Sequence, residues 1–329
     1  MKERDSTFDI MKGIAMVLVI LSHTAPWANW PLAYWRSALF FIISGYFAKE
    51  WPVEVFLRKG AKRLFIPYAV TCLFMLPFVF LGEAILDVEV MPDVLKSMVL
   101  GAGAFGYADN YKNICIGPLW FVCASIWVRI LWALFQKIKN VAVRGGLIVL
   151  LGIAAYKLRE NAINPWSIFS AFGALGFFYC GYVIRRYNLL NTDNGKRVAP
   201  LVMASLVFCI CFSKMDVNSC IYRSGYVIEL LGSIGAFMLL YAAVRRFSDC
   251  SITVWKFLNF LGRYSLVAFC VHSIDYCLLS CWFPFKFWWQ FSTTFEYVCA
   301  LVMRIGFAAI GCFLVSKNNF LKEKIFFIR

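Results

Sequence analysis

Long apolar runs broken by short, basic joints follow one another along the whole chain. A run of about 17–25 apolar residues crosses a bilayer as a helix. Ten runs are predicted as spans on this pattern. They are Phe8–Ala25, Trp35–Phe47, Leu64–Leu81, Pro118–Phe135, Gly145–Tyr156, Trp166–Ile184, Val198–Phe212, Tyr226–Val244, Leu258–Cys281 and Phe295–Val315. The second, fifth and seventh are short, and are expected to be tilted, broken or packed inside the bundle. The first run lacks a small-x-small cleavage site and reads as a retained span. The gaps between runs are too short to fold a separate core, so residues 1–329 read as one all-α integral membrane domain.

Charge orients this bundle. Of the 33 Lys and Arg residues, 21 fall in one alternate set of joints and eight in the other, with four inside spans. Positive residues stay on the cytoplasmic side, so both termini are expected there, which an even number of spans allows. The same rule accounts for the net charge of +15. No basic domain stands apart from the apolar runs, which argues against nucleic-acid binding. Composition agrees with a membrane solvent: 62% hydrophobic and 16% charged residues, against roughly half and a quarter in soluble domains. The thirteen cysteines lie mostly within spans (Cys72, Cys123, Cys180, Cys209, Cys211, Cys270, Cys277) and read as small hydrophobes rather than a disulfide frame. With two histidines and no CxxC pair, no metal site is expected. The longest outer connection, Gly82 to Gly117, holds a Gly101-Ala-Gly-Ala stretch that reads as an interfacial or re-entrant piece. No internal repeat is visible, against an inverted-repeat transporter.

Charges at bilayer depth are costly and mark function by default. The first span holds Asp9, Lys12 and His23. Eleven residues separate Lys12 from His23, about 20° short of or past three full turns, so both share one helix face roughly 16 Å apart along the axis. Lys12 either snorkels to the headgroups, paired with Asp9 at i,i+3, or serves chemistry above it. His23 is either a hydrogen-bonded interfacial side chain or a general base, the role an imidazole suits near neutral pH. Ser44-Gly45 closes the second span. It either lets another backbone approach closely or places the Ser44 hydroxyl on a substrate channel. Arg58, Lys62 and Arg63 lie in the basic approach to the third span. They anchor to anionic lipid, or they clamp phosphates of a cytosolic donor. The ninth span holds Arg263, His272 and Asp275. Arg129, Glu229 and Arg304 are further intramembrane charges, and sequence alone does not pair them.

Taken in order, these residues resemble the acyltransferase type 3 membrane family, and within it the fucose 4-O-acetylase-like branch. Lys12, ten residues, then His23 is similar to its first-helix signature. Phe40–Phe47 resembles its FFxxSGY element, and Arg63-Leu-Phe-Ile-Pro67-Tyr68 its RLxxPY element. Leu119-Trp120-Phe121 resembles its LWF element, and Gly262-Arg-Tyr-Ser265-Leu266 followed by His272 its closing G-x-x-S-L…H element. One stretch departs: Trp35-Arg36-Ser37-Ala38-Leu39 stands where that branch carries a Phe-His-Met-Pro-like run. The resemblance implies about ten helices, an acyl-CoA donor drawn from the cytoplasm of a bacterial inner membrane, and an O-acylated extracytoplasmic carbohydrate or glycolipid as acceptor. Acetyl is the group it implies first, with succinyl as the alternative.

The expected activity is therefore carbohydrate O-acyl transfer. His23 is the candidate base, with Lys12 and Asp9 beside the donor or an oxyanion. Arg58, Lys62, Arg63 and Arg263 are the candidate donor-phosphate ligands, and Ser44, Trp120 and His272 the candidate channel lining. The rival reading is a glycan or lipid transporter that uses the same charges for coupling.

Overall fold

A computed structural model describes residues 6–24, 35–86, 91–101, 117–159, 164–247, 252–281 and 294–328. These are helical almost throughout; among the described residues the sole β feature is a bridge between Asp216 and Ile221. The helices are α1 (Ser6–Thr24), α2 (Arg36–Tyr46), α3 (Lys62–Leu86), α4 (Met91–Leu100), α5 (Trp120–Phe135) and α6 (Val141–Leu158). There follow α7 (Ile168–Arg186), α8 (Thr192–Phe212), α9 (Tyr226–Phe247), α10 (Thr253–Arg263), α11 (Ser265–Cys281) and α12 (Thr294–Lys317).

Eight of the described helical segments are long and apolar enough to cross a membrane. The bent pair α10–α11 makes a ninth. The tenth expected span is α2, only 11 residues long. It needs no lipid-facing length because Ala38 through Ile43 are all buried. The expected ninth span is not one helix. The chain bends by 83° between α10 and α11, with Tyr264 at the joint. The α10 cap amides close back on Gly262 and Phe260. The Gly82–Gly117 connection is partly helical. α3 runs on to Leu86, and α4 folds back so that the Tyr68 hydroxyl donates to the Met98 carbonyl at 2.5 Å. Ser167 Oγ donates to the Gly101 carbonyl at 2.9 Å. Of the Gly101-Ala-Gly-Ala stretch expected to be interfacial or re-entrant, only Gly101 lies within the described residues. Residues 87–90 and 102–116 of that connection lie outside the described residues.

α1 is the hub. Eleven of its 19 residues are buried, and it packs against α2, α9, α10, α11 and α12. A helix buried against so many neighbours belongs in the middle of a bundle. Glycines allow the two closest approaches. A Cβ on Gly13 would strike the Leu258 carbonyl, and one on Gly262 the Asp9 carbonyl, so α1 and α10 touch backbone to backbone. α2 and α7 repeat the device: Gly45 faces the Phe178 carbonyl and Gly181 the Ile42 carbonyl. The close packing expected at Ser44-Gly45 is thus Gly45 on α7.

The joints gather at one end of the bundle. Gln136 Nε2 donates to the Trp51 carbonyl at 2.6 Å, and Arg185 to the Tyr46 carbonyl at 3.2 Å. Arg144 lies over the rings of Trp132, Tyr179 and Tyr182, 4.7–5.6 Å from their centroids. The stretch expected to be a basic loop before the third span is helical instead. Val53–Val55, a π-helical Phe56–Ala61 and α3 follow without a break, which carries Lys62 and Arg63 into the bundle's flank. The charge bias survives without Arg58, Lys59, Lys62 and Arg63, at seventeen to eight.

Candidate active site

The two histidines of the chain meet. His23 ends α1 and His272 lies two turns into α11. His272 Nε2 is 3.2 Å from His23 Nδ1, with the ring centroids 5.3 Å apart. His272 is buried and His23 half-buried. His23 Nδ1 also lies 2.9 Å from the Val19 carbonyl oxygen. A carbonyl only accepts, so Nδ1 carries the ring hydrogen and Nε2 keeps its lone pair. The same hydrogen faces His272 Nε2, which then accepts, leaving the His272 hydrogen on Nδ1.

That hydrogen points to a carboxylate. Asp275, one helical turn on and fully buried, places Oδ2 3.4 Å from His272 Nδ1. At this length the contact is longer than a formed N–H···O bond. Arg304 of α12 sets Nε 3.3 Å from the same Oδ2. Its Nη1 donates to the His23 carbonyl at 3.1 Å and lies 3.4 Å from Thr24 Oγ1. Arg304 thus neutralises the buried carboxylate and closes the end of α1, where carbonyls lack partners. The result is one contiguous path, from His23 through His272 and Asp275 to Arg304, across three helices.

A layer of rings lies one turn along α11 from His272, toward the α10 joint. Phe121 sits at its centre. Its centroid is 5.1 Å from Phe269, 5.6 Å from Phe40, 4.7 Å from Phe41 and 6.0 Å from Trp120. Three of the sequence elements, from α2, α5 and α11, therefore converge next to the histidines. Trp120 is buried in this layer. Ser44 is half-buried on α2, a turn past Phe40 and Phe41.

Lys12 does not reach this cluster. Its Nζ donates to Asp9 Oδ1 at 3.2 Å, the i,i+3 pair that the sequence suggested. Eleven residues of helix, on the order of 16 Å, separate it from His23. Arg63 lines a cavity with Arg129, well apart from His23 along the bundle. Lys62 is exposed, and Arg263 is exposed at the α10–α11 elbow. The side chain of Arg58 lies outside the described residues. Among the described residues Glu229 does not neutralise an arginine; it accepts from Ser213 Oγ and from the Ser224 amide, the latter at 3.3 Å. Of the nine cysteines whose side chains are described, seven are buried and none is in a disulfide. Among the described residues no three metal-capable side chains converge.

Sequence reasoning named Asp275 and Arg304 without giving them work. Asp275 carried a usable signal, since i,i+3 places it on the His272 face. Arg304 carried none, because its partners lie on other helices.

A family model described as an acyltransferase domain matches residues 5–314. The chain belongs to the acyltransferase type 3 family. It is a multi-pass membrane acyltransferase, and the match includes His23, His272, Asp275 and Arg304. No curated protein matches this acyltransferase closely enough to count as a relative.

Proposed function

We propose that this acyltransferase moves an acyl group, acetyl in the first instance, from cytoplasmic acyl-CoA to a hydroxyl of an extracytoplasmic carbohydrate. The observation that carries the proposal is the 3.2 Å contact between His23 and His272, backed by Asp275 and Arg304. His23 Nε2 takes the proton of the acceptor hydroxyl as its oxygen attacks the thioester carbonyl. The C–O bond forms, the C–S bond breaks, and the departing thiolate takes that proton back from His23. While His23 is protonated, His272 accepts its Nδ1–H more strongly, and the Asp275 carboxylate balances the charge. His272, Asp275 and Arg304 act as positioning residues. The ring layer around Phe121 supports a dry passage for the donor's acyl end, bordered by Trp120 and Ser44.

Lys12 and Asp9 lie too far from His23 to bind an oxyanion there. Their place in this scheme is on the donor's path, in the first two turns of α1. Lys62, Arg63 and Arg263, with Arg58, meet the donor's phosphates at the basic end, the cytoplasmic one. General-base catalysis contributes about 10²–10⁴-fold in rate, so His23→Gln loses that much transfer while still inserting. The test uses membranes carrying the full chain, radiolabelled acetyl-CoA and envelope glycan. Label entering glycan and thiol released in step are expected. A transporter would leave acetyl-CoA intact, and that result would end the proposal.

A further inference from the structure

Arg63 does not stand alone at the basic end: it shares a cavity with Arg129, an intramembrane charge with no role in the scheme above. A cavity of about 220 Å³ opens between the start of α3, α5 and α7. Arg63, Arg129 and Lys49 line it together with Trp51, Trp132 and Phe178, and among the described residues no acidic side chain does. Arg63 and Arg129 are close enough to feel each other's charge. Neither forms a hydrogen bond or ion pair with any described residue. Lys49 lies 5.6 Å over the Trp51 ring. Both arginines are exposed, and both line the cavity.

Two guanidinium groups turned to one cavity repel each other at a cost that grows as water is excluded. A bound phosphate reverses the sign. Each arginine can then make charge-assisted, bidentate contacts. The aromatic walls point to more than a bare ion, since rings of this kind stack flat π-systems and a base supplies one. The volume limits what enters. Cavities that enclose a drug-sized molecule run to about 300–1,000 Å³, so this one seats one end of a longer ligand.

We propose that this cavity holds the phosphorylated nucleoside end of the donor, with Arg129 and Arg63 on its phosphates. The inference rests on the acyl-CoA reading and adds to it a seat and a residue, Arg129. Position supports it. Phe47, also in the lining, packs edge-on against Phe8 at 4.7 Å, so the cavity lies beside the first turns of α1. From Phe8 to His23 the helix rises on the order of 20 Å. An extended phosphopantetheine arm has that reach. The larger cavity at this end, about 700 Å³, also carries cations, Lys196, Arg245 and Arg246. There Arg245 already donates to the Tyr241 hydroxyl at 3.0 Å.

The test measures binding of adenosine 3′,5′-bisphosphate to the purified full chain in neutral-lipid nanodiscs. Saturable binding is expected, weakened about tenfold to a hundredfold by Arg129→Gln, as for loss of one charge-assisted contact. Arg129→Lys restores part of it, which shows a folded protein, and Arg246→Gln changes nothing. Equal binding by wild type and Arg129→Gln overturns the proposal. So does a loss confined to Arg246→Gln. A phospholipid headgroup is the other phosphate source. If anionic lipid in the disc displaces the nucleotide and Arg129→Gln abolishes that displacement, the cavity is a lipid site and the proposal falls. The underlying reading fails separately: acetyl-CoA consumed normally by Arg129→Gln refutes the seat alone. Arg129-dependent nucleotide binding without any acetyl-CoA turnover upholds the seat and refutes the transfer.

Discussion

Asp275→Asn isolates what the buried carboxylate does. The change keeps the shape and removes one charge. Arg304, 7% exposed, then keeps the His23 carbonyl and Thr24 hydroxyl but loses its anion. Breaking a buried pair by removing one partner costs about 3–5 kcal/mol, a large share of a typical total of about 5–15 kcal/mol. Thermal stability should fall clearly while the protein still inserts. Catalysis should fall separately. The positive charge that reaches the histidine pair in the transition state loses a charge-assisted partner worth about 1.5–3 kcal/mol, or roughly tenfold to a hundredfold in rate. The assay is acetyl transfer to glycan, normalised to folded protein, with kcat and the donor KM measured apart. The loss should lie in kcat, because Asp275 is remote from the donor's phosphates. The pair variant Asp275→Asn with Arg304→Gln separates the two effects, since it removes the uncompensated cation. Stability should return while kcat stays low. If activity returned with stability, Asp275 would serve only to neutralise Arg304. If Asp275→Asn alone kept kcat within twofold, the relay would be wrong.

Two further outcomes follow from packing and charge. Gly262→Val puts a branched side chain against the Asp9 carbonyl; overpacking costs about 1–3 kcal/mol, so the α1–α10 contact should loosen and the yield of folded protein in detergent should drop, whereas unchanged thermal stability would mean that the two backbones are not in contact. The loop bias places the C-terminus in the cytoplasm, so Asn318→Cys should resist impermeant thiol reagents in intact cells and react after lysis; strong labelling from outside would reverse the topology.

The sequence carried the broad architecture because membrane helices announce themselves by length and apolarity. It carried His23 and Lys12 because one helix fixes their relative facing. Its limits were of two physical kinds. The first is a change of backbone direction without a strong breaker. No proline marks Tyr264, so the 83° bend looked like the middle of one apolar run. The Phe56–Ala61 π-segment likewise looked like a loop, because its Arg and Lys residues mimic a cytosolic joint. The second is pairing between helices. Arg304 could have met Glu229 or Asp275, and only the packing of α12 on α11 and α1 selects Asp275. Arg129 was visible as a charge inside a span, yet its neighbour Arg63 lies more than sixty residues away in sequence. The short α2 reads as a poor span by length, and it is one; burial on all sides explains why it is nonetheless apolar.

The central claim is that His23 and His272 act as one unit in proton transfer. A double-mutant cycle on His23→Gln and His272→Gln, read as the rate of acetyl transfer from acetyl-CoA to glycan in membranes, tests it most directly. Loss of His23 should cost about 10²–10⁴-fold, and loss of His272 less. The double variant should be no slower than His23→Gln alone, because His272 has nothing left to support. If the two losses multiply, the histidines work independently; if His23→Gln transfers acetyl at the wild-type rate, the base lies elsewhere, and either result contradicts the account.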